Sequence, residues 1–305
     1  MCNMKFGKLD KIDGIDFTMP PTPKTTEALL KNSAQKKSAP IILSGCTGWS
    51  MKEWLGSFYP KNAKAQDFLR FYSRQFNTIE LNSTYYRIPD KKSVDKWVEQ
   101  TLPGFKFAPK IPQIISQSED LSLRESYIES FTEVIAALDD RLGISFLQLP
   151  PNFGPKNIRI LEQFLKRFPC KDIPLSVEVR NENWFVEKDM LILQNLLAAY
   201  GAGIVLSDVA GRRDVLHMYL SNNTAMIRFV GNELHESDFS RLDAWMLRLK
   251  EWVEMGLSEV YFFHHQDNNL LAPEMTIYFN QKLNHVLGTN LTVPVKHSDV
   301  QLSLF

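Results

Sequence analysis

Short apolar runs alternate with longer amphipathic stretches along most of the chain. Eight runs stand out, at 41–45, 78–82, 105–108, 144–148, 175–180, 204–208, 225–229 and 260–264. Each is too short for a helix and closes on polar or aromatic residues, the pattern of a strand buried on both faces whose far end meets solvent. Between them, apolar residues recur at helical spacing and predict helices over 65–76, 92–100, 124–141, 157–168, 186–200, 239–256 and 275–288, with a weak one near 212–220. In 124–141 the stripe of Tyr127, Phe131, Val134, Ile135 and Leu138 is ordinary packing of a helix on a sheet. Eight strand–helix alternations predict an α/β fold: a single (β/α)8 TIM barrel, irregular around its sixth helix, with any active site where the strands end.

Parity within the runs separates packing from chemistry, because residues two apart in a strand share a face. Glu80 and Asn82 oppose Ile79 and Leu81, and Ser176, Glu178 and Arg180 oppose Leu175, Val177 and Val179. The same count puts Lys106 or Lys110, Gln148, Asp208, Arg228 and His264 inward. The expectation is a polar ring with three acids, Glu80, Glu178 and Asp208, against three bases, Lys110, Arg180 and Arg228. Buried charges need partners, so one reading is a structural network of neutralised pairs. The other is an active site, favoured because every member lies late in its strand.

Composition narrows the picture. A barrel of this kind takes roughly 250 residues, so the 305-residue chain divides into an irregular extension over 1–39, a barrel over 40–290 and a tail over 291–305. Lys and Arg number 35, as do Asp and Glu, so no overall field draws in nucleic acid or an anionic membrane, and no strong unaided nucleic-acid binding is expected. Cys2, Cys46 and Cys170 fit neither a disulfide framework nor a zinc ligand set. With no apolar stretch of a signal peptide or membrane helix, the expected compartment is the cytoplasm.

The ring suggests chemistry. Glu80, Lys110, Glu178 and Asp208 are the candidate catalytic residues: the two glutamates as general acid and base, Lys110 as a proton-transfer group. Arg180 and Arg228 present planar donor forks suited to phosphate or carboxylate. Trp49, Tyr86 and Trp184, just beyond strands, offer stacking faces, and Asn82, Gln148 and His264 offer polar contacts. Together they predict a small polar, anionic ligand such as a phosphorylated sugar or nucleotide-like compound. A divalent-metal-dependent hydrolase is the alternative, with Glu80, Glu178, Asp208 and His264 as ligands. No cofactor is required by the sequence, which has neither His-Glu-x-x-His nor a cysteine cluster. His264 and His265 are adjacent, so only one can face a common site. Gly201-Ala202-Gly203 reads as a helix cap and turn, and Gly231-Asn232 lies where many barrels hold phosphate.

Several segments carry a resemblance: Gly45-Cys46-Thr47-Gly48-Trp49-Ser50 with Trp54 and Phe58-Tyr59-Pro60; the run 79–89 from Ile79-Glu80-Leu81-Asn82 to Arg87-Ile88-Pro89; Phe105-Lys106-Phe107-Ala108-Pro109-Lys110; Leu147-Gln148-Leu149-Pro150-Pro151; and Val177-Glu178-Val179-Arg180 with Trp184. In order and spacing they resemble the YecE-like family, domain of unknown function 72, from about residue 41 to 290. The resemblance implies a TIM barrel and no particular reaction. Three histidines usual in that family are replaced here: Ser116-Gln117 stands for a Thr-His pair, Asn181 follows the Glu-x-Arg motif, and Val230 precedes Gly231. A mechanism built on them would not transfer.

The chain closes Gln301-Leu302-Ser303-Leu304-Phe305. Three large apolar residues after a polar lead are expected to bury something. Either they fold back on the barrel's helices, or they dock to a partner: the pentapeptide resembles the Gln-Leu-x-Leu-Phe motif by which bacterial replication and repair proteins engage the DNA sliding clamp, with Gln301 at a pocket rim and Leu302, Leu304 and Phe305 as apolar anchors. A ligand-binding or adaptor protein recruited to DNA this way is therefore the second functional class.

Overall fold

The eight apolar runs are eight parallel strands: β1 (Ile41–Cys46), β2 (Thr78–Leu81), β3 (Lys106–Pro109), β4 (Ser145–Gln148), β5 (Leu175–Glu178), β6 (Gly203–Asp208), β7 (Thr224–Val230) and β8 (Glu259–His265). The computed structural model describes residues 7, 9, 11–33, 39–267 and 269–296. The strands hydrogen-bond in the order β3-β2-β1-β8-β7-β6-β5-β4. The remaining seam, between β3 and β4, is closed by isolated parallel bridges, Phe107 with Leu142 and Lys110 with Phe146, through the Gly143 N–H to the Phe107 carbonyl at 2.8 Å and the Ile111 N–H to the Phe146 carbonyl at 2.9 Å. The result is a nearly closed (β/α)8 barrel.

Strand alternation fills its inside. Leu43, Phe146, Val205, Met226, Tyr261 and Phe263 pack together within the barrel, each contributing about 1.5–3 kcal/mol by leaving water. The opposite faces of the strands pack under the helices, so both faces of each strand are apolar through most of its length. At Gly45 a Cβ would lie 2.0 Å from the Thr78 carbonyl oxygen of the neighbouring strand, which leaves glycine as the residue that fits β1 against β2 there.

The helices are α1 (Lys24–Ser33), α2 (Phe68–Gln75), α3 (Ser83–Tyr86), α4 (Lys91–Gln100), α5 (Gln113–Ser116), α6 (Tyr127–Ala136), α7 (Ile158–Arg167), α8 (Glu187–Ala199), α9 (Glu236–Met255) and α10 (Ala272–Leu287). Seven match the periodic stretches, although α6 stops short of 141. The two single-turn helices, α3 and α5, follow β2 and β3 directly and have no periodicity of their own.

Two expectations are corrected together. The weak helix near 212–220 is one 3-10 turn, Arg213–Val215, and the lead-in is not irregular throughout, because 24–33 is helical. The two facts explain each other. Leu30 of α1 is fully buried against Leu206, Leu216, Met218 and Leu220, while Thr26 Oγ1 donates to the Met218 carbonyl at 3.2 Å and accepts from the Leu220 N–H at 3.0 Å. A helix from the start of the chain covers the patch that the β6–β7 connection leaves bare.

Candidate active site

Five inward residues at the C-terminal ends of the strands form one hydrogen-bonded cluster. Arg228 on β7 holds both carboxylates: its Nε and Nη2 donate to Glu80 of β2 at 2.9 and 3.0 Å, and its Nη1 donates to Glu178 of β5 at 2.6 Å. Gln148 on β4 donates its Nε2 to Glu178 at 2.8 Å and accepts from Lys110 Nζ at 2.9 Å. That amide orientation alone serves a carboxylate and an ammonium at once. Arg180, two residues past β5, donates to the other oxygen of Glu178 at 2.8 Å, and Asn82 donates to Glu80 at 2.9 Å. Phe146 is the floor, with the Arg228 guanidinium 5.4 Å and Lys110 Nζ 5.8 Å from its ring centroid.

Sequence reasoning missed two members. Tyr85 on α3 lies beneath Lys110, its ring centroid 4.3 Å from Nζ. His265, the other histidine of the adjacent pair, sets its Nε2 3.0 Å from Glu80. An ionised carboxylate only accepts, so this nitrogen carries the proton. The signal for Tyr85 was its place beside Tyr86 just beyond β2. For His265 it was only the choice between neighbours.

The electrostatics are layered. The side chains of Glu80 and Glu178 are 0% and 2% exposed, whereas those of Arg228, His265 and Arg180 are 11%, 17% and 19% exposed. The carboxylates form the lower storey and the cations face the mouth. Burial alone would raise both acids, but Arg228 and His265 hold Glu80 well below the usual carboxylate range, and Arg180 and Arg228 bring Glu178 down to about 2. Burial, then the neighbouring Arg228, lowers Lys110 to about 8. Burial also lowers His265, leaving it the neutral donor its geometry requires.

Other predicted members lie elsewhere. Asp208 points outward from β6, to Arg213, to Arg241 of α9 at 3.0 Å and to Trp245 Nε1 at 2.9 Å. His264 also points outward, its ring packed on Phe262 and Phe279 and its Nε2 3.3 Å from Ser44 Oγ. In both strands the parity count was off by one, because apolar residues on both faces give it no anchor. Trp184 is fully buried in the core with its Nε1 on the Phe153 carbonyl at 2.8 Å, so it packs and offers no stacking face. Trp49 is half-buried and edge-on to Trp97. Tyr86 is 73% exposed, open to solvent beside Tyr85. Lys106 is at the opposite end of β3, capping the Asp140 carbonyl at 2.8 Å.

The proposed metal ligands are not gathered. With Asp208 and His264 turned away and both glutamates taken by Arg228, no three His, Cys, Asp or Glu side chains come together as a metal set among the described residues. The Gly231-Asn232 loop is no phosphate cradle either: the Asn232 N–H and Nδ2 donate to Asp238 at 2.7 and 3.1 Å. A cavity of about 300 Å³ lies beside that loop under the N-terminal segment. Its titratable lining, Glu233, His235 and Asp267, is exposed, unlike the buried charges of the ring. Gln301, Leu302, Leu304 and Phe305 lie outside the described residues. No described helix is long and apolar enough to cross a membrane.

Comparison with known proteins agrees with the barrel fold. The family model "Protein of unknown function DUF72" matches residues 43–297. The UPF0759 protein YecE of Escherichia coli (strain K12) is 28% identical over 273 residues, 83% of this chain and 97% of that protein. The UPF0759 protein YunF of Bacillus subtilis (strain 168) is 27% identical over 151 residues, 48% of this chain and 52% of that one. Among solved structures, a DUF72 family protein from Thermotoga maritima MSB8 superposes with a TM-score of 0.63 at 24% identity, covering 80% of this chain and 99% of that one. One from Enterococcus faecalis V583 gives 0.62 at 23%, covering 82% and 96%.

Proposed function

The chain belongs to the family described as protein of unknown function DUF72, and for this member we propose an enzyme that binds a small polar anion, of the phosphorylated-sugar or nucleotide-like kind, at the C-terminal face of the barrel and moves protons there through Lys110. The layering of charge carries this reading. Glu80 and Glu178 are spent underneath in orienting the more exposed guanidinium groups of Arg228 and Arg180, and the buried Lys110 brings the cations to one positive charge in excess. An anion arriving there completes the balance and finds donor forks already held in place. Ionised glutamates pinned by arginine make a poor acid–base pair at neutral pH. Lys110, lowered to about 8, both gives and takes a proton in that range. The free thiols of Cys46 and Cys170 suit the reducing cytoplasm as its compartment.

The test is thermal stabilisation by phosphorylated and carboxylated small molecules, for the wild type and Arg180→Met. Arg180 is one of two guanidinium partners of the buried Glu178, so its loss should lower the ligand-free melting temperature, and anion binding, read as the shift above each variant's own ligand-free value, should weaken at least tenfold. Anions that leave the wild type unmoved, or stabilise Arg180→Met equally, would overturn the reading.

A second reading concerns the tail, which we propose docks to the DNA sliding clamp. Beyond α10 the chain doubles back along that helix: Asn284 accepts from the Leu291 N–H at 2.7 Å, Asn280 donates to the Thr292 carbonyl at 2.7 Å, and Lys296 pairs with Glu274 at 2.5 Å. This anchored run ends at the level of the first turn of α10, five residues before Gln301. A tethered lead followed by a Gln-Leu-x-Leu-Phe segment is the layout of a linear docking motif. Deleting 301–305 should abolish binding to the host's clamp and leave the melting temperature in place. Failure of the full chain to bind, or a sharp fall in stability on deletion, would sink this reading.

A further inference from the structure

We infer that Lys110 is a covalent site: an amine placed to form an imine with a carbonyl compound that also carries an anionic group. The inference rests on the reading of Arg180 and Arg228 as the anion's holders, and it adds the class of substrate. Lys110 stands apart from the other cations of the ring. Arg228 and Arg180 each make an ion pair with a carboxylate, whereas Nζ of Lys110 is held by the neutral Gln148 oxygen at 2.9 Å, above the ring of Tyr85 at 4.3 Å. A lysine whose purpose was to neutralise Glu178 would displace Gln148 and bind it directly. Here the amide stands between them and fixes the nitrogen without tying it to a charge.

The backbone beneath is equally fixed. The Lys110 N–H donates to the Leu81 carbonyl, and the Lys110 carbonyl accepts from Thr84 Oγ1 at 2.7 Å. The buried Phe146 lies against both the amine and Arg228, which sets the two groups around one ring, within the span of a compound of a few carbon atoms. The surroundings also favour the free amine. Burial and the adjacent Arg228 lower Lys110 to about 8, which leaves roughly one molecule in ten unprotonated at pH 7, against about one in three thousand for an ordinary lysine. An apolar pocket and a neighbouring cation are the two means by which a lysine is made nucleophilic. In the step itself, the amine nitrogen adds to the carbonyl carbon, and both amine protons leave with the carbonyl oxygen as water. The carbon–nitrogen double bond remains, with the anionic group on the arginines.

The test is reductive trapping on the full chain at pH 7.5, with cyanoborohydride as the hydride source. The probes are pyruvate, glyceraldehyde 3-phosphate and, as a neutral carbonyl, glycolaldehyde, followed by intact mass and peptide mapping. A single adduct should appear on the peptide holding Lys110, at least tenfold above any other lysine, stronger with the anionic probes and suppressed by inorganic phosphate. Lys110→Arg should remove it, and the wild-type map decides the matter even if that variant fails to fold. Adducts spread over surface lysines without Lys110 leading would overturn the proposal. Should the anions stabilise the protein through Arg180 while no adduct forms on Lys110, the imine falls and the anion site stands. Trapping at Lys110 that is equal for glycolaldehyde and blind to phosphate would overturn the anionic substrate class instead.

Discussion

Two networks of buried charge crown the same end of this barrel, one inside and one outside the strand wall. The outer one joins Asp208 of β6 with Arg213 and with Arg241 and Asp238 of α9. Its charges balance: two acids meet two bases, and Arg241 is 1% exposed. Each nitrogen of its guanidinium donates to a side chain or carbonyl, and Phe17 and Phe229 cover its faces. The inner one, around Arg228, sets three cations against two carboxylates, and its paired arginines are more exposed than the carboxylates they hold. A network that ends in balance holds structure together, and one that ends in surplus awaits a ligand.

The sharpest way to break the comparison is to remove one arginine from the outer network. Arg241→Met leaves Asp238 buried without its cation and Asp208 with Arg213 alone, and should cost about 3–5 kcal/mol, on the order of 10 °C in melting temperature, with anion binding kept by whatever remains folded. Urea unfolding and ligand titration together check this. An unchanged midpoint would mean that the outer network is dispensable.

Acid tests the inner network by another route. Glu178 takes up its proton near its ordinary value of 4.5 when unfolded, but only near pH 2 in the native state. The unfolded chain therefore binds more protons between those values, and the stability contributed by this group is fully present above about pH 5 and lost as pH falls through the window. The contribution is about 3 kcal/mol. Glu178→Gln should flatten that part of the stability–pH curve, and a curve as steep as the wild type's would refute the assignment. The smallest effect expected is from Phe17→Ala, which uncovers Arg213 and Arg241 and should cost about 1 kcal/mol with no change in anion affinity. A larger change in affinity than in stability would show that the two networks act as one.

Much of this was legible in the sequence. Eight apolar runs foretold the barrel, and parity placed Glu80, Glu178 and Arg228 inward because their runs carry polar residues on one face only; the same count put Gln148 inward and left Lys106 or Lys110 open. It misplaced Asp208 and His264 because Ile204-Val205-Leu206 and Val260-Tyr261-Phe262-Phe263 are apolar on both faces, as strands between a filled barrel and a helix layer must be. Trp184 misled because aromatic residues after a strand suit a loop core as well as a ligand. Helix α1 escaped notice among breakers, although Glu27 and Lys31 stand four apart in the order that favours a helix and pair at 3.1 Å.

That helix has a consequence in time. Thr26 and Met218, which it brings together, are 192 residues apart in the chain. On a ribosome α1 is made early, yet its resting place is not made until β6 and the turn after it have emerged. Until then Leu30 and the patch around Leu216 and Leu220 both stay uncovered. The docking of α1 is thus a closure of high contact order and correspondingly slow. A rearranged chain with α1 spliced into the β6–β7 connection would make that contact local, and would be expected to fold faster to the same barrel.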